Sequence, residues 1–382
     1  MSWWLAAAAI SLCAWVYLAA AHGSFWRAPV GLPAGVTAAP RSWPEVVAVV
    51  PARNEAAVLP QTLPTLVGQR YDGAFRVVVV DDDSADGTGD VARAIGADVI
   101  RSDGPPAGWA GKVAAMAAGV DAATEARFLL FTDADIAFAA RTVEALVTVA
   151  LDHDLDLVSY MVRLRTRTFW ERRIVPAFVY FFSQLYPFAR VNDPRSRVAA
   201  AAGGCMLVRR EALQEAGGLE RIHDALIDDV SLARLLKRRR PGARIWLAHA
   251  TDGDSLRPYP TLSTLWNMVA RSAYTQLRHS PALLAGSVAG LLLVYAMPVA
   301  AVVAGGVTGD VALSVVGAAA WLTMALTYAP TLRYYGLSPL RALGLPAVAM
   351  LYAAMTIDSA LRHARGRGGA WKGRMRSKTP VP

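Results

Sequence analysis

The run LLFTDADI ends on two carboxylates, Asp133 and Asp135, with a single residue between them. On an extended segment, carboxylates at that spacing face one site. They suit Mg²⁺ or Mn²⁺, since a hard divalent cation of this kind takes one or two protein carboxylates and completes its shell with water and phosphate oxygens. Such a cation neutralises a departing diphosphate. Lys112, in GWAGKVAAM, offers a positive charge to the same phosphates, while the GxxxxGK[ST] spacing of a P-loop is absent. Two more polar clusters close apolar runs in the same way: Arg53, Asn54 and Glu55 in EVVAVVPARNEA, and Asp81, Asp82 and Asp83 in FRVVVVDDDSADGT. A further pair, Asp228 and Asp229 in ALIDDVSLARLL, opens a stretch of helical apolar spacing, where acidic residues also cap helix termini.

The elements that must carry these residues are short and rich in Val. Apolar runs that stop at polar clusters read as buried parallel strands, and residues 56–70 and 84–96 between them have helical spacing. A repeat of strand, helix and strand implies an α/β domain with a parallel sheet and right-handed crossovers. Ligands bind such sheets outside the carboxyl ends of the strands, so all the clusters should line one edge. Turn preference explains any one of them, and SADGT alone reads as a helix start. Three on one edge require a cation or donors to offset their mutual repulsion. The glycines of DGTGD are only a weak dinucleotide fingerprint.

The chain has 382 residues, of which 54% are hydrophobic and 18% charged, more apolar than a soluble domain requires. The excess sits in residues 3–21, 281–307, 311–330 and 340–361, each near the length that crosses a bilayer. The expected plan is an anchor at 1–25, a catalytic domain at 42–260, an amphipathic or interfacial segment at 261–280, membrane segments at 281–361 and a basic tail at 362–382. Arg27, Arg41, Arg271 and Arg278 flank the domain and place it in the cytoplasm. The tail, with Arg362, Arg365, Arg367, Lys372, Arg374, Arg376 and Lys378, should lie there too. Three crossings after the domain would put the tail outside, so the Pro-interrupted last segment is expected to be re-entrant or interfacial. The aromatic stretch Arg172 to Phe188 is too short to span and is expected at the headgroup boundary, with a buried core helix as the alternative. A net charge of +9 beside membrane segments points to anionic lipid headgroups; no nucleic-acid-binding motif accompanies it. Two cysteines, Cys13 and Cys205, give no disulfide framework, and the six histidines lack metal-ligand spacing.

In this order and separation, PARNE, VDDDSADGT, GK and TDAD resemble the nucleotide-sugar-binding half of family 2 inverting glycosyltransferases of the GT-A fold, over about Val46 to Leu236. The resemblance implies a Rossmann-like, mostly parallel catalytic domain, here with one N-terminal and several C-terminal transmembrane helices. It implies that Arg53, Glu55, Asp81 and Asp82 hold the nucleoside, that Lys112 lies near the diphosphate, and that Asp133 and Asp135 form a metal-binding DxD. Asp83 stands where the family often has a glycine or small residue. Displacement at an anomeric carbon needs a carboxylate to accept the acceptor's proton, and the resemblance assigns this to Asp229 beside Asp228. AAAGGCMLVRR resembles the family's glycine-containing strand at the acceptor site, with Gly203 and Gly204 allowing close approach. Arg271 matches the arginine of the processive enzymes' QxxRW, but Met268 and Ser272 replace its glutamine and tryptophan, which disfavours polymer synthesis. Arg271 is a further candidate for the diphosphate.

PPAGWAGKVAAM, LVSYMVRL, PAFVYFFSQLYPF, AAGGCMLVRR, LIDDVSLA and ARSAYTQL are similar to bacterial hopanoid-biosynthesis-associated membrane glycosyltransferases and, more distantly, to ceramide glucosyltransferases, whose W-x-G-R element the tail's WKGRMR resembles. This implies a multi-pass enzyme of a bacterial inner membrane that uses a nucleotide sugar, in the first place a UDP-sugar, and a lipid acceptor. The alternatives are a transferase making polyprenyl-phosphate sugars or a polysaccharide, and a non-catalytic membrane scaffold of GT-A shape.

Overall fold

The computed structural model describes residues 3–33, 42–239 and 242–366, so the tail beyond 366 lies outside the described residues. The chain divides into two compact units: one drawn from Pro29–Arg165 and Phe188–Pro258, the other from Met1–Ala28, Thr166–Pro187 and Tyr259–Gly369.

The first unit is built on one sheet with eight strands among the described residues: β1 (Val46–Ala52), β2 (Phe75–Asp82), β3 (Asp98–Ser102), β4 (Phe128–Phe131), β5 (Ile136–Phe138), β6 (Leu157–Arg163), β7 (Met206–Arg209) and β8 (Ile245–Ser255). Their order is β3-β2-β1-β4-β7-β6-β8-β5. β1 to β4 run parallel, β7 is antiparallel to β4 and β6, β8 parallels β6, and β5 is antiparallel to β8. Every residue of β1 and β4 is buried, which is why these strands read as continuous apolar runs rather than alternating ones. The sheet is therefore mixed but mostly parallel, as expected. The expected third strand, RFLLFTDADI, is interrupted: β4 stops at Phe131, and Ile136 opens a separate strand paired to β8. Thr132 to Asp135 make the crossing between them. Parallel strands deliver their carboxyl ends, and antiparallel β7 and β5 their amino ends, to one edge of the sheet. The Gly111–Asp121 helix packs so closely on β1 that a Cβ at Gly119 would run into Val49.

In the second unit, four helices among the described residues are long and apolar enough to cross a membrane: Trp3–Arg27, Pro281–Thr308, Val311–Tyr334 and Pro339–Ala364. The last matches the others in length despite Pro346, because this proline sits in the first turn of the Leu345–Ala364 helix, where no intrahelical N–H is needed. Its length and composition allow a crossing, where the charge of the tail led to the expectation of a re-entrant or interfacial segment. The Glu171–Leu185 helix is not laid on a surface within this unit: Ile174, Val175, Ala177, Val179 and Tyr180 are buried, and Tyr180 packs edge-on against Tyr328 at 5.0 Å. Segment 261–280 forms the Leu262–Ala270 helix and a short turn of helix, clasped to the final helix by Trp266 Nε1 donating to Asp358 at 2.7 Å and Arg362 donating to Asn267 at 2.8 Å.

Candidate functional site

At the carboxyl end of β1, Arg53 donates to the carbonyls of Asp82 and Asp83, the latter at 3.0 Å, and its guanidinium lies 3.8 and 3.6 Å from their carboxylates. Asn54 accepts from Ala85 N at 3.0 Å, and its own N–H reaches Ser84 Oγ at 3.0 Å. The loops after β1 and β2 are thereby knitted into one rim. Asp83 adopts φ +51°, the left-handed region where glycine is at ease and Asp is tolerated. That conformation accounts for a position where the resembling family often has glycine. Asp81 is buried and accepts from Ser84 N at 3.1 Å, and a Cβ at Gly89 would lie 2.7 Å from its other oxygen. Asp86 accepts from Thr88 N at 3.1 Å and from Ala56 N at 3.0 Å, while Gly87 is the N-cap of the Thr88–Ile95 helix, without a side-chain cap.

The carboxylates of TDAD part company. Asp135 is buried, accepting from Ser255 Oγ at 2.5 Å and from Arg257 at 3.1 Å. Arg257 also donates to Glu55 at 2.8 Å, so one guanidinium ties the β1 loop to the end of β4. Asp133 turns to Lys112, whose Nζ stands 2.9 Å from Asp133 Oδ1 and 2.9 Å from Asp228 Oδ2. Asp229 Oδ2 accepts from Gly203 N at 3.0 Å and Oδ1 from Val230 N at 2.7 Å. A Cβ on Gly203 would lie 3.0 Å from Lys112 Nζ and 3.6 Å from Asp229 Oδ2, so glycine is what allows these groups to converge. Gly204 is pressed instead against Val162. Arg271 follows the Leu262–Ala270 helix and belongs to the helical unit.

Electrostatically the cluster is short of positive charge. Burial and the neighbouring Asp228 push the Asp229 carboxyl up to about 7, against the pull of Lys112 and two backbone N–H groups. Burial, with Asp135 and Asp228, likewise holds Asp133 above its ordinary range. Burial works against the Lys112 ammonium, but Asp133 and Asp228 outweigh it and keep the lysine charged. The donor set fits a hard divalent cation: it is all oxygen and carries more negative charge than Lys112 offsets. Among the described residues no three His, Cys, Asp or Glu side chains form a preformed metal cage. A cation held by one or two carboxylates and by substrate phosphates needs none.

The helix that bears Asp228 and Asp229, Asp228–Arg239, is fastened from its far end. Lys237 Nζ lies 2.6, 3.1, 3.3 and 2.8 Å from the carbonyl oxygens of Val191, Asp193, Ser196 and Val198, its three N–H groups shared among four acceptors. That strap leads directly into Gly203. Neither Lys237 nor Arg257 was legible in the sequence, because each acts on groups remote in the chain and belongs to no spaced motif.

Residues 47–217 match glycosyl transferase family 2. The chain carries a glycosyl transferase family 2 domain. It is a glycosyltransferase, and the matched segment contains the Arg53, Asp81, Lys112, Asp133 and Gly203 positions described above. Among solved structures it is similar to a mannosyltransferase from Pyrobaculum calidifontis in complex with GDP-Man and Mn²⁺, at 20% identity and TM-score 0.53, over 94% of this chain and 99% of that one. It is also similar to glucosyl-3-phosphoglycerate synthase from Mycobacterium tuberculosis in complex with Mn²⁺, UDP and phosphoglyceric acid, at 20% identity and TM-score 0.44, over 66% and 85% of the two chains. The first likeness establishes the shared fold of this glycosyltransferase, the GT-A architecture expected from its sequence. No curated protein matches the chain.

Proposed function

We propose that the chain is a membrane-bound inverting glycosyltransferase that moves a sugar from a nucleotide sugar, in the first place a UDP-sugar, to the hydroxyl of a lipid. The observation that carries this reading is Asp229: a half-buried carboxylate with a pKa near neutrality, held by Gly203 N–H beside the Lys112–Asp133–Asp228 cluster. A general base works best when its pKa lies near the working pH. Asp229 takes the proton of the acceptor hydroxyl as its oxygen bonds to the anomeric carbon and the bond to the diphosphate oxygen breaks. Arg53, Glu55, Asp81 and Asp82 form the rim for the nucleoside, and Lys112 supplies charge to the diphosphate. Asp133, with 38% of its side chain exposed, would hold Mg²⁺ or Mn²⁺, joined by Asp135 if the cation draws it from Ser255 and Arg257. The cation, when bound, neutralises the leaving group.

A lipid acceptor is supported by the four apolar helices in the same chain and by the buried aromatic Glu171–Leu185 helix among them. The resemblance of six stretches to hopanoid-associated enzymes favours a polycyclic triterpenoid, and the arginines flanking the sheet unit favour a bacterial inner membrane with that unit in the cytoplasm. Purified protein in detergent, given a panel of nucleotide sugars, Mg²⁺ or Mn²⁺ and a bacterial lipid extract, should label a lipid. Asp229→Asn should bind the donor and lose transfer. A mutant that still turned over at the wild-type rate would remove Asp229 as the base, and labelling confined to water-soluble acceptors would remove the lipid.

A further inference from the structure

We propose that Lys112 is a built-in counter-ion: it occupies the carboxylate cluster while the donor is absent, and the donor's diphosphate must draw it away before a divalent cation binds tightly. This inference rests on the metal- and nucleotide-dependent reading above. Lys112 Nζ sits 2.9 Å from both Asp133 Oδ1 and Asp228 Oδ2, with only 18% of its side chain exposed. Its place is built in rather than incidental: Gly119 seats its helix against β1, and Gly203 leaves room for the ammonium beside Asp229. A bare cation approaching Asp133 therefore meets a positive charge already bonded to the oxygen it needs. A diphosphate changes the balance by offering the ammonium a second anion and releasing Asp133 to the metal. Metal and nucleotide then strengthen one another, and by linkage the effect is reciprocal.

The test uses the full chain in detergent and reads Mn²⁺ binding by electron paramagnetic resonance, with no nucleotide, with UDP and with GDP. In the wild type, Mn²⁺ alone should bind weakly and tighten roughly tenfold or more with the accepted nucleotide. Lys112→Met should bind Mn²⁺ alone roughly tenfold more tightly than the wild type and lose most of the gain from nucleotide. Lys112→Arg should keep the wild-type pattern. Gly203→Ala, whose added carbon would crowd Nζ from 3.0 Å, should shift Mn²⁺ binding in the same direction by less, and it serves if Lys112→Met does not fold. Nucleotide-dependent Mn²⁺ binding that is normal in the wild type, with Lys112→Met no better on Mn²⁺ alone, overturns the counter-ion and leaves the enzyme reading standing. No Mn²⁺ binding with any nucleotide overturns both.

Discussion

The two units of the chain compensate their buried carboxylates in different ways. In the helical unit the buried carboxylate and two buried tyrosine hydroxyls each meet neutral partners. Glu171, fully buried, accepts from the backbone N–H groups of Arg167, Thr168 and Tyr259 at 2.7, 2.9 and 2.8 Å, while its own N–H reaches Thr168 Oγ1 to complete a capping box. Tyr180 bonds Thr327 at 2.8 Å, and Tyr295 donates to Gln184 at 2.6 Å. In the sheet unit, Asp133, Asp228 and Asp229 gather round a single ammonium. Matched groups inside an apolar bundle hold the structure together. A surplus of charge kept at a sheet edge stores a demand for a ligand.

The strongest way to break this contrast is at Asp229. Asp229→Asn should lower kcat by roughly 10²–10⁴, the usual worth of a general base. It should also raise the melting temperature at neutral and higher pH. The sign follows from linkage: a carboxyl held near 7 in the fold and near 3.8 in the unfolded chain binds more protons when folded, so its contribution is most favourable at low pH and is lost as pH rises through 7. Activity runs the other way, because the base must be ionised. In the free enzyme kcat/KM should fall about tenfold per unit below pH 7, a limb that Asp229→Asn removes. A mutant both inactive and destabilised would return Asp229 to the structural class.

Glu171 should behave as the mirror image. Glu171→Ala strands three backbone donors, two at a helix start and one at Tyr259, and should cost about 2–4 kcal/mol of stability. Thermal melting in detergent checks this, with kcat per folded molecule expected to stay within about twofold, since its bonds to Arg167, Thr168 and Tyr259 serve the backbone of the helical unit. Melting unchanged from the wild type would show that these bonds are replaced by solvent.

How much of this was legible in the sequence follows from the same contrast. Strand-end clusters were legible because parallel strands bury continuous Val-rich runs and expose only their carboxyl ends, so Arg53, Asp81 and Asp133 fell on one edge from pattern alone. Asp228 and Asp229 were legible as a pair, but their relation to Lys112 was not, since residues more than a hundred positions apart meet only through Gly203. The different partners of Asp133 and Asp135 were hidden because TDAD is a crossing between two strands, not the extended strand end its residues suggested. Pro346 does not break the last helix, because it lies where a helix tolerates proline.

Arg257 sharpens the comparison from within the sheet unit, since it is a matched group beside an unmatched cluster. Arg257→Met removes one partner from Glu55 and one from Asp135, the latter still held by Ser255. Donor KM should rise about tenfold with a smaller change in kcat, because the loss is of rim geometry rather than of the base. Steady-state kinetics at saturating acceptor separates the two. A larger fall in kcat than rise in KM would instead place Arg257 in contact with charge that develops during the reaction.

The smallest expected effect lies in the helical unit at Trp15. Pro298 has no N–H to give the carbonyl four residues earlier, that of Val294, and the chain answers with a π-turn over Leu292–Ala296 and with Trp15 Nε1 donating to Val294 O at 2.7 Å. Among apolar helices an orphaned carbonyl has no water to turn to. Trp15→Phe keeps most of the ring's packing against Tyr295, whose centroid lies 5.2 Å away, and removes the shorter of two donors to Val294 O, leaving Ser11 Oγ at 3.4 Å. The cost should be about 1 kcal/mol, read as a small drop in melting temperature with kcat unchanged. Pairing it with Pro298→Ala restores a backbone donor for Val294, so the double mutant should recover most of the loss; no recovery would mean that Trp15 acts through its bulk rather than its N–H.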